Sequence, residues 1–305
     1  MAKRIEPKLV KGMRDQLGAQ LRQRRAMTAT ISTVFERFGF TPLETPALEF
    51  VETLTGAKAG ETGQRIYTWS HEEDGVELGL RFDLTVPLAR FVAAHPEVRR
   101  PFKRYQTGSV FRVDKPGAGR FREFTQFDID VVGTPSMLAD AEIMVAMATA
   151  LRELGLPEHS ILWNHRGILN AALNKSGVEP KRATAVIRVL DKADKIGHDG
   201  VLAELGDGRV DGESGARIEG LGLPRSQIEG IAGFLAIEAG SDDALVDAVR
   251  AHLMGVKGAA DPIREMEDLR EYLRALGENG DSVRFDPRLA RGMDYYTGPI
   301  FEATL

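Results

Sequence analysis

Between Arg99 and Arg122 the chain sets Arg99, Arg100, Lys103, Arg104, Arg112, Lys115, Arg120 and Arg122 against one carboxylate, Asp114. A charge run of this kind usually solvates an exposed face. Here it lies on strand-like sequence interrupted by Lys115-Pro116-Gly117-Ala118-Gly119, so a polyphosphate ligand competes with that reading. The stretch that follows alternates. Glu123, Thr125, Phe127, Ile129 and Val131 share one face, and Arg122, Phe124, Gln126, Asp128 and Asp130 share the other. On the preceding strand Arg112 falls on the face of Gly108, Val110 and Asp114. Further upstream Leu80, Phe82 and Leu84 point one way, and Arg81, Asp83 and Thr85 the other. One strand patterned like this is a solvent-washed sheet face. Several of them, carrying both charges and an aromatic ring, suit a zwitterion joined to a phosphate. Arginines would grip the phosphate by two-point contacts, carboxylates would take an ammonium, and Phe124 would offer a stacking plate for a base. Near the end, Ala290-Arg291-Gly292-Met293-Asp294-Tyr295-Tyr296-Thr297-Gly298 reads either as the edge of a pocket or as an aromatic strand with a turn.

Composition removes other chemistries. There is no cysteine, which excludes thiol catalysis, disulfide scaffolds and Cys-ligated zinc. The six histidines stand singly, so no metal site is expected. No Gly-x-x-x-x-Gly-Lys-Ser/Thr loop is present, and Gly117-Ala118-Gly119-Arg120-Phe121-Arg122 breaks the dinucleotide fingerprint at its last position. A net charge of −5 argues against a protein that coats nucleic acid. The basic cluster Lys3, Arg4, Lys8, Lys11, Arg14, Arg22, Arg24 and Arg25 either lies near RNA or solvates a helix. No apolar stretch suits a membrane helix or a secretory signal, so a cytoplasmic protein is expected.

The elements that must position these residues can be read from periodicity. Leu17, Leu21, Met27, Ile31, Val34, Phe35 and Phe38 recur at helical spacing, and Gly39 closes the run. Two prolines make Phe40–Glu49 extended chain. Strands are expected over Val76–Thr85, Lys103–Val113 and Arg122–Val132, the last two joined as an antiparallel hairpin. Thr134-Pro135 starts a helix that runs to Gly155, and Ser160–Asn164 is a further strand. From about Arg166 to Gly280 the sequence offers short amphipathic helices. One of them, Pro262–Leu276, is charged on most faces and is expected to be solvent-exposed. Strand-like sequence returns over Val283–Leu305. The fold class is therefore α+β, an antiparallel sheet flanked by helices. The expected domains are a core over 1–165, a helical insertion over 166–280 and a return to the core over 281–305.

Phe111-Arg112-Val113-Asp114, the Gly-rich loop, Gly119-Arg120-Phe121-Arg122-Glu123-Phe124 and Gln126–Asp130 resemble the second signature motif of class II aminoacyl-tRNA synthetases, and within that class the histidyl-tRNA synthetases. Gly39–Pro46 is similar to the first motif, which in that family supports dimerisation. Leu80-Arg81-Phe82-Asp83-Leu84-Thr85-Val86-Pro87 and Arg291-Gly292-Met293-Asp294-Tyr295-Tyr296 resemble the family's two histidine-recognition stretches, the second with high specificity. The resemblance runs from near Lys11 to the last residue. A Gly-rich third motif and an anticodon-binding domain, which such enzymes carry further on, are not in this sequence, so the catalytic core is expected to be incomplete as it stands.

The resemblance implies activation of histidine by ATP, with Mg2+, to histidyl-adenylate, and transfer to tRNA(His) by a cytoplasmic homodimer. It implies that Arg112 binds the α-phosphate and the histidine carboxylate, while Arg291 approaches from the other side in a role that a metal fills in related synthetases. Asp83 and Thr85 would take the ammonium, and Gln126, Asp130, Tyr295 and Tyr296 would surround the substrate. Phe124 would stack on adenine, Asp114 would meet its edge, and Arg120 would reach the outer phosphates. The rival is a synthetase-like regulatory subunit that senses histidine for an ATP phosphoribosyltransferase. Such paralogues tend to lose the catalytic arginines and the Arg-Gly-x-Asp-Tyr-Tyr run, both of which are intact here.

Overall fold

The structure is a computed structural model that describes residues 5–56, 65–70, 75–212, 214–278, 280, 282–292 and 296–305. The chain forms two compact units, Met1–Pro135 and Ser136–Leu305.

The first unit runs α1 (Gly18–Arg37), β1 (Thr41–Pro42), β2 (Leu48–Phe50), α2 (Val51–Thr55), β3 (Thr68–Ser70), β4 (Glu77–Leu80), α3 (Thr85–Ala94), β5 (Phe102–Phe111) and β6 (Glu123–Val132). The β5/β6 hairpin is its frame, paired antiparallel from Phe102↔Val132 to Phe111↔Glu123. α1 lies on one face of it. Phe35 meets Phe127 edge-on with ring centroids 5.3 Å apart, and the Tyr105 hydroxyl donates to Glu36 Oε1 at 2.7 Å. Gly39, at φ +79°, turns the chain out of the helix. β1 then pairs parallel to β5, in register Thr41↔Arg104, so the sheet is mixed at this edge. A second sheet has the order β2-β4-β3.

The strand expected over Val76–Thr85 stops at Leu80, and Thr85 opens α3. The cause is local. Asp83 Oδ1 accepts the Val86 N–H at 2.9 Å, and Pro87 falls in the first helical turn, where its missing N–H costs nothing.

The second unit runs α4 (Leu138–Glu153), β7 (Ser160–His165), α5 (Arg166–Lys175), α6 (Pro180–Leu190), α7 (Ala193–Leu205), β8 (Gly208–Val210), β9 (Arg217–Glu219), α8 (Arg225–Leu235), α9 (Asp242–Leu253), α10 (Ala260–Ala275), β10 (Val283–Phe285) and β11 (Pro299–Thr304). β7 is central. β10 pairs with it parallel and β11 antiparallel, and Trp163 packs on Phe285 with ring centroids 4.8 Å apart. α4 begins later than the expected Thr134, because the Ser136 hydroxyl meets the Leu138 N–H at 3.3 Å and the helix opens there. The charged run expected to be solvent-exposed is α10, and it is not a solvated rod. Met266, Leu269 and Leu273 form a buried stripe that packs against α4 and α5. Apolar residues at i, i+3 and i+7 are enough to seat a helix whose other faces are charged.

Candidate active site

The hairpin register places Arg104, Gln106, Gly108 and Val110 of β5 opposite Asp130, Asp128, Gln126 and Phe124 of β6, all on one face. Arg112 follows at the strand's end on the same parity. Its amide donates to Arg122 O at 2.8 Å, its Nε donates to Phe82 O at 3.0 Å, and its guanidinium lies 5.0 Å from the centre of the Phe124 ring. Arg81 is buried and structural. It donates to Ser109 O at 2.9 Å and to Thr45 O at 2.6 Å. A Cβ on residue 108 would lie 2.4 Å from its guanidinium, which explains the glycine there.

Carboxylates dominate the middle of this face. Asp83, at the start of α3, feels both Arg112 and Arg104, and burial raises its pKa against the pull of the Val86 amide and those two cations. Burial also raises Asp130, opposed by Arg104. Asp128 is pushed up to about 6 by burial, with Asp130 and Asp83 adding to the rise and the Gln126 amide opposing it. Gln126 Nε2 donates to Asp128 Oδ2 at 2.9 Å. Arg104 is fully buried, with Nη2 2.7 Å from Asp130 Oδ2 and donating to Leu84 O at 3.2 Å. Its Nε and Nη1, with Gln106 Oε1 and Gln126 Oε1, have no hydrogen-bond partner among the described residues. Such buried groups are costly unless a ligand completes them. Three carboxylates thus face two guanidiniums here, and burial raises the pKa of each of the three.

The structure thus gathers Asp83, Arg112, Phe124, Gln126 and Asp130 on one face. Thr85 is exposed at the first turn of α3. Asp114 and Arg120 lie off the hairpin in the loop between β5 and β6, with Arg120 exposed beside the Gly117↔Arg120 bridge. In the second unit Arg291 pairs with Glu302 at 2.8 Å, and its carbonyl accepts Arg166 Nη1 at 2.9 Å. Tyr296 is half-buried, and Tyr295 lies outside the described residues. Sequence reasoning gave no individual role to Arg104, Gln106, Asp128 or Arg166, although Arg104 stood in the basic run and Asp128 on the polar face. The first three share the parity of Arg112, Gln126 and Asp130, a signal that was available. Nothing in the sequence marked Arg166 as a buried hydrogen-bond donor.

A family model described as histidyl-tRNA synthetase matches residues 12–304. The chain is similar to a histidine–tRNA ligase of Bartonella henselae, 39% identical over 310 residues, covering 99% of this chain and 62% of that protein. A second histidine–tRNA ligase, from a Ruegeria species, is 40% identical and covered to 63%. The chain therefore spans a little over three-fifths of the length of these relatives. Among solved structures, a histidyl-tRNA synthetase from Nostoc sp. PCC 7120 aligns with 99% of this chain and 66% of that one, at TM-score 0.83 and 30% identity. A Bacillus halodurans protein described as an ATP phosphoribosyltransferase regulatory subunit/histidyl-tRNA synthetase aligns at TM-score 0.79 and 26% identity, over 99% of this chain and 73% of that one. With the family model spanning nearly every residue, the chain belongs to the histidyl-tRNA synthetase family.

Proposed function

We propose that this chain supplies the amino-acid-activating part of a histidine–tRNA ligase, which joins histidine to ATP and passes the histidyl group to tRNA(His). The observation that carries the reading is the hairpin face, where Arg112 stands beside Phe124 and Asp83, and where Gln106 Oε1 and Gln126 Oε1 have no hydrogen-bond partner among the described residues. Histidine brings an ammonium for Asp83, with Thr85 beside it, and an imidazole for Gln126 and Asp130. Tyr295 and Tyr296 are assigned to the same substrate by family resemblance. Arg112 holds the histidine carboxylate and the α-phosphate of ATP. Phe124 stacks on adenine, Asp114 meets its edge, and Arg120 reaches the outer phosphates. Mg2+, which the family resemblance implies, would accompany those phosphates.

The histidine carboxylate is itself the nucleophile. Its oxygen attacks the α-phosphorus, the bond to the bridging oxygen breaks, and pyrophosphate leaves. No side chain has to be activated, so the protein's contribution is alignment and charge stabilisation. Arg112 and Arg291 are the groups assigned to that charge. The terminal ribose hydroxyl of tRNA(His) then attacks the adenylate carbonyl and AMP departs. Residues 1–165 and 281–305 are proposed as the catalytic core, with 166–280 as its helical insertion. A histidine-sensing regulatory subunit is the second reading, favoured by the description of the Bacillus halodurans relative and opposed by the retained Arg112 and Arg291.

Asp83→Asn tests the amino-acid pocket. Asparagine keeps an oxygen for the Val86 amide, so α3 retains its start while the charge is lost. Calorimetry should show histidine binding weakened by about 2–5 kcal/mol, the range for breaking a desolvated charge pair. Unchanged affinity removes Asp83 from the site.

A further inference from the structure

The segment before α1 crosses the loop that links β5 to β6. Gly12 O accepts the Arg122 N–H at 2.7 Å, and Arg122 Nη1 donates to Lys11 O at 3.4 Å. Arg122 also donates through Nε to Asp114 O at 3.1 Å, and its carbonyl accepts the Arg112 amide at 2.8 Å. Arg122 therefore ties Gly12 on one side to Arg112 and Asp114 on the other. Two residues on, the Arg14 guanidinium stacks 3.9 Å from the centre of the Phe121 ring. Gly12 has φ +86°, and a Cβ there would lie 2.8 Å from Pro116 Cγ and 2.9 Å from Arg122 Cγ. Only glycine allows so close a crossing. The segment has little core beneath it. Arg14 itself is exposed and borders a polar cavity of about 300 Å3 shared with Gln16, Arg24, Ser109 and Phe124.

We propose that Lys11–Arg14 is a strap that positions the 113–121 loop for the nucleotide, with Gly12 and Arg14 as its positioning residues. This rests on the activation reading above. Asp114 and Arg120, assigned to ATP, lie on the strapped loop, whereas Gln126 and Asp130, assigned to histidine, lie on β6 and Asp83 lies just before α3. The strap thus governs the affinity for ATP more than that for histidine, which it reaches only through the Arg112 amide.

The test uses the full gene product that carries this chain, as wild type, Gly12→Ala, Arg14→Ala and Arg14→Lys. Histidine-dependent ATP–pyrophosphate exchange gives KM for each substrate, and hydrogen exchange by mass spectrometry follows amides 113–121. Arg14→Ala should raise KM for ATP about three- to five-fold, the scale of one exposed cation–π contact. Gly12→Ala should raise it about ten-fold or more, because it also strains the backbone. Arg14→Lys should recover most of the loss, since an ammonium still stacks on Phe121. KM for histidine should stay within about two-fold, and amides 113–121 should exchange faster in both alanine variants while the hairpin strands stay protected. KM values for ATP and histidine that rise together, or an ATP KM that does not move, overturn the proposal. If the wild type shows no histidine-dependent exchange, the activation reading fails. Unchanged protection of 113–121 in Gly12→Ala then overturns the strap on its own account, and faster exchange there supports it.

Discussion

At the scale of single residues, the candidate site is a compromise between folding and binding. Asp83, Asp128 and Asp130 are held where burial favours the protonated acid. For Asp128 the pKa rises from an ordinary value of 3.8 to about 6 in the folded chain. A carboxyl whose folded value is the higher one lends stability below about pH 4 and loses it as pH rises through about 6. The ligand-free protein should therefore become less stable between those limits. Asp128→Asn removes the cost of the buried charge and keeps an oxygen for Gln126. Thermal melts should show the variant more stable than wild type at pH 7.5, with the gap closing towards pH 4. A variant less stable at pH 7.5 would mean that the Asp128 charge is already compensated in the fold. Arg104 shows why such a site was only partly legible. In the sequence it is one of eight basic residues in a run, and runs of that kind are usually solvated. Its burial follows from strand parity together with α3 passing over it, and the second of these was not foreseen.

At the scale of elements, legibility tracked how local the determining signal was. The β5/β6 hairpin was readable because period-two alternation and a Pro-Gly turn act within a few residues. Its observed limits, Phe102–Phe111 and Glu123–Val132, fall close to those expected. The strand read through Val76–Thr85 failed because Leu80, Phe82 and Leu84 continue an alternation by chance. Asp83, with Pro87 four residues later, was the helix-start signal that outweighed it. The charge on α10 hid its buried stripe for a similar reason. Met266 has no solvent exposure, so Met266→Ala should cost about 2–5 kcal/mol in chemical denaturation, as truncation in a close-packed core does. A loss below about 1 kcal/mol, typical of surface substitutions, would return α10 to the solvated helix its composition suggested.

At the scale of the whole molecule, no described helix is long and apolar enough to cross a membrane. The segment over Phe40–Glu49, similar to the family's first motif, is proposed to mediate a homodimer. Its two ends face inward, Phe40 into the aromatic cluster with Phe35 and Glu49 onto Arg90 at 2.7 Å. The outward apolar surface comes from Leu48 and Phe50 on β2 and Trp69 on β3, all exposed on one small sheet. A two-fold contact would bring this patch against itself. Light scattering of the full gene product at micromolar concentration should give a dimer mass, and Phe50→Glu should lower it towards a monomer. A well-folded wild-type monomer overturns the interface.

The most direct test of the central claim is ATP–pyrophosphate exchange by the full gene product, assayed with each of the standard amino acids in turn. Exchange should require histidine, and Arg291→Ala should reduce it by roughly two to three orders of magnitude while histidine binding persists. The Arg291–Glu302 pair is partly exposed, at 33% and 42%, and exposed pairs add only about 0–1 kcal/mol, so a loss of this size would not come from unfolding. Exchange driven equally by other amino acids, or an Arg291→Ala rate within a few-fold of wild type, would contradict the assignment.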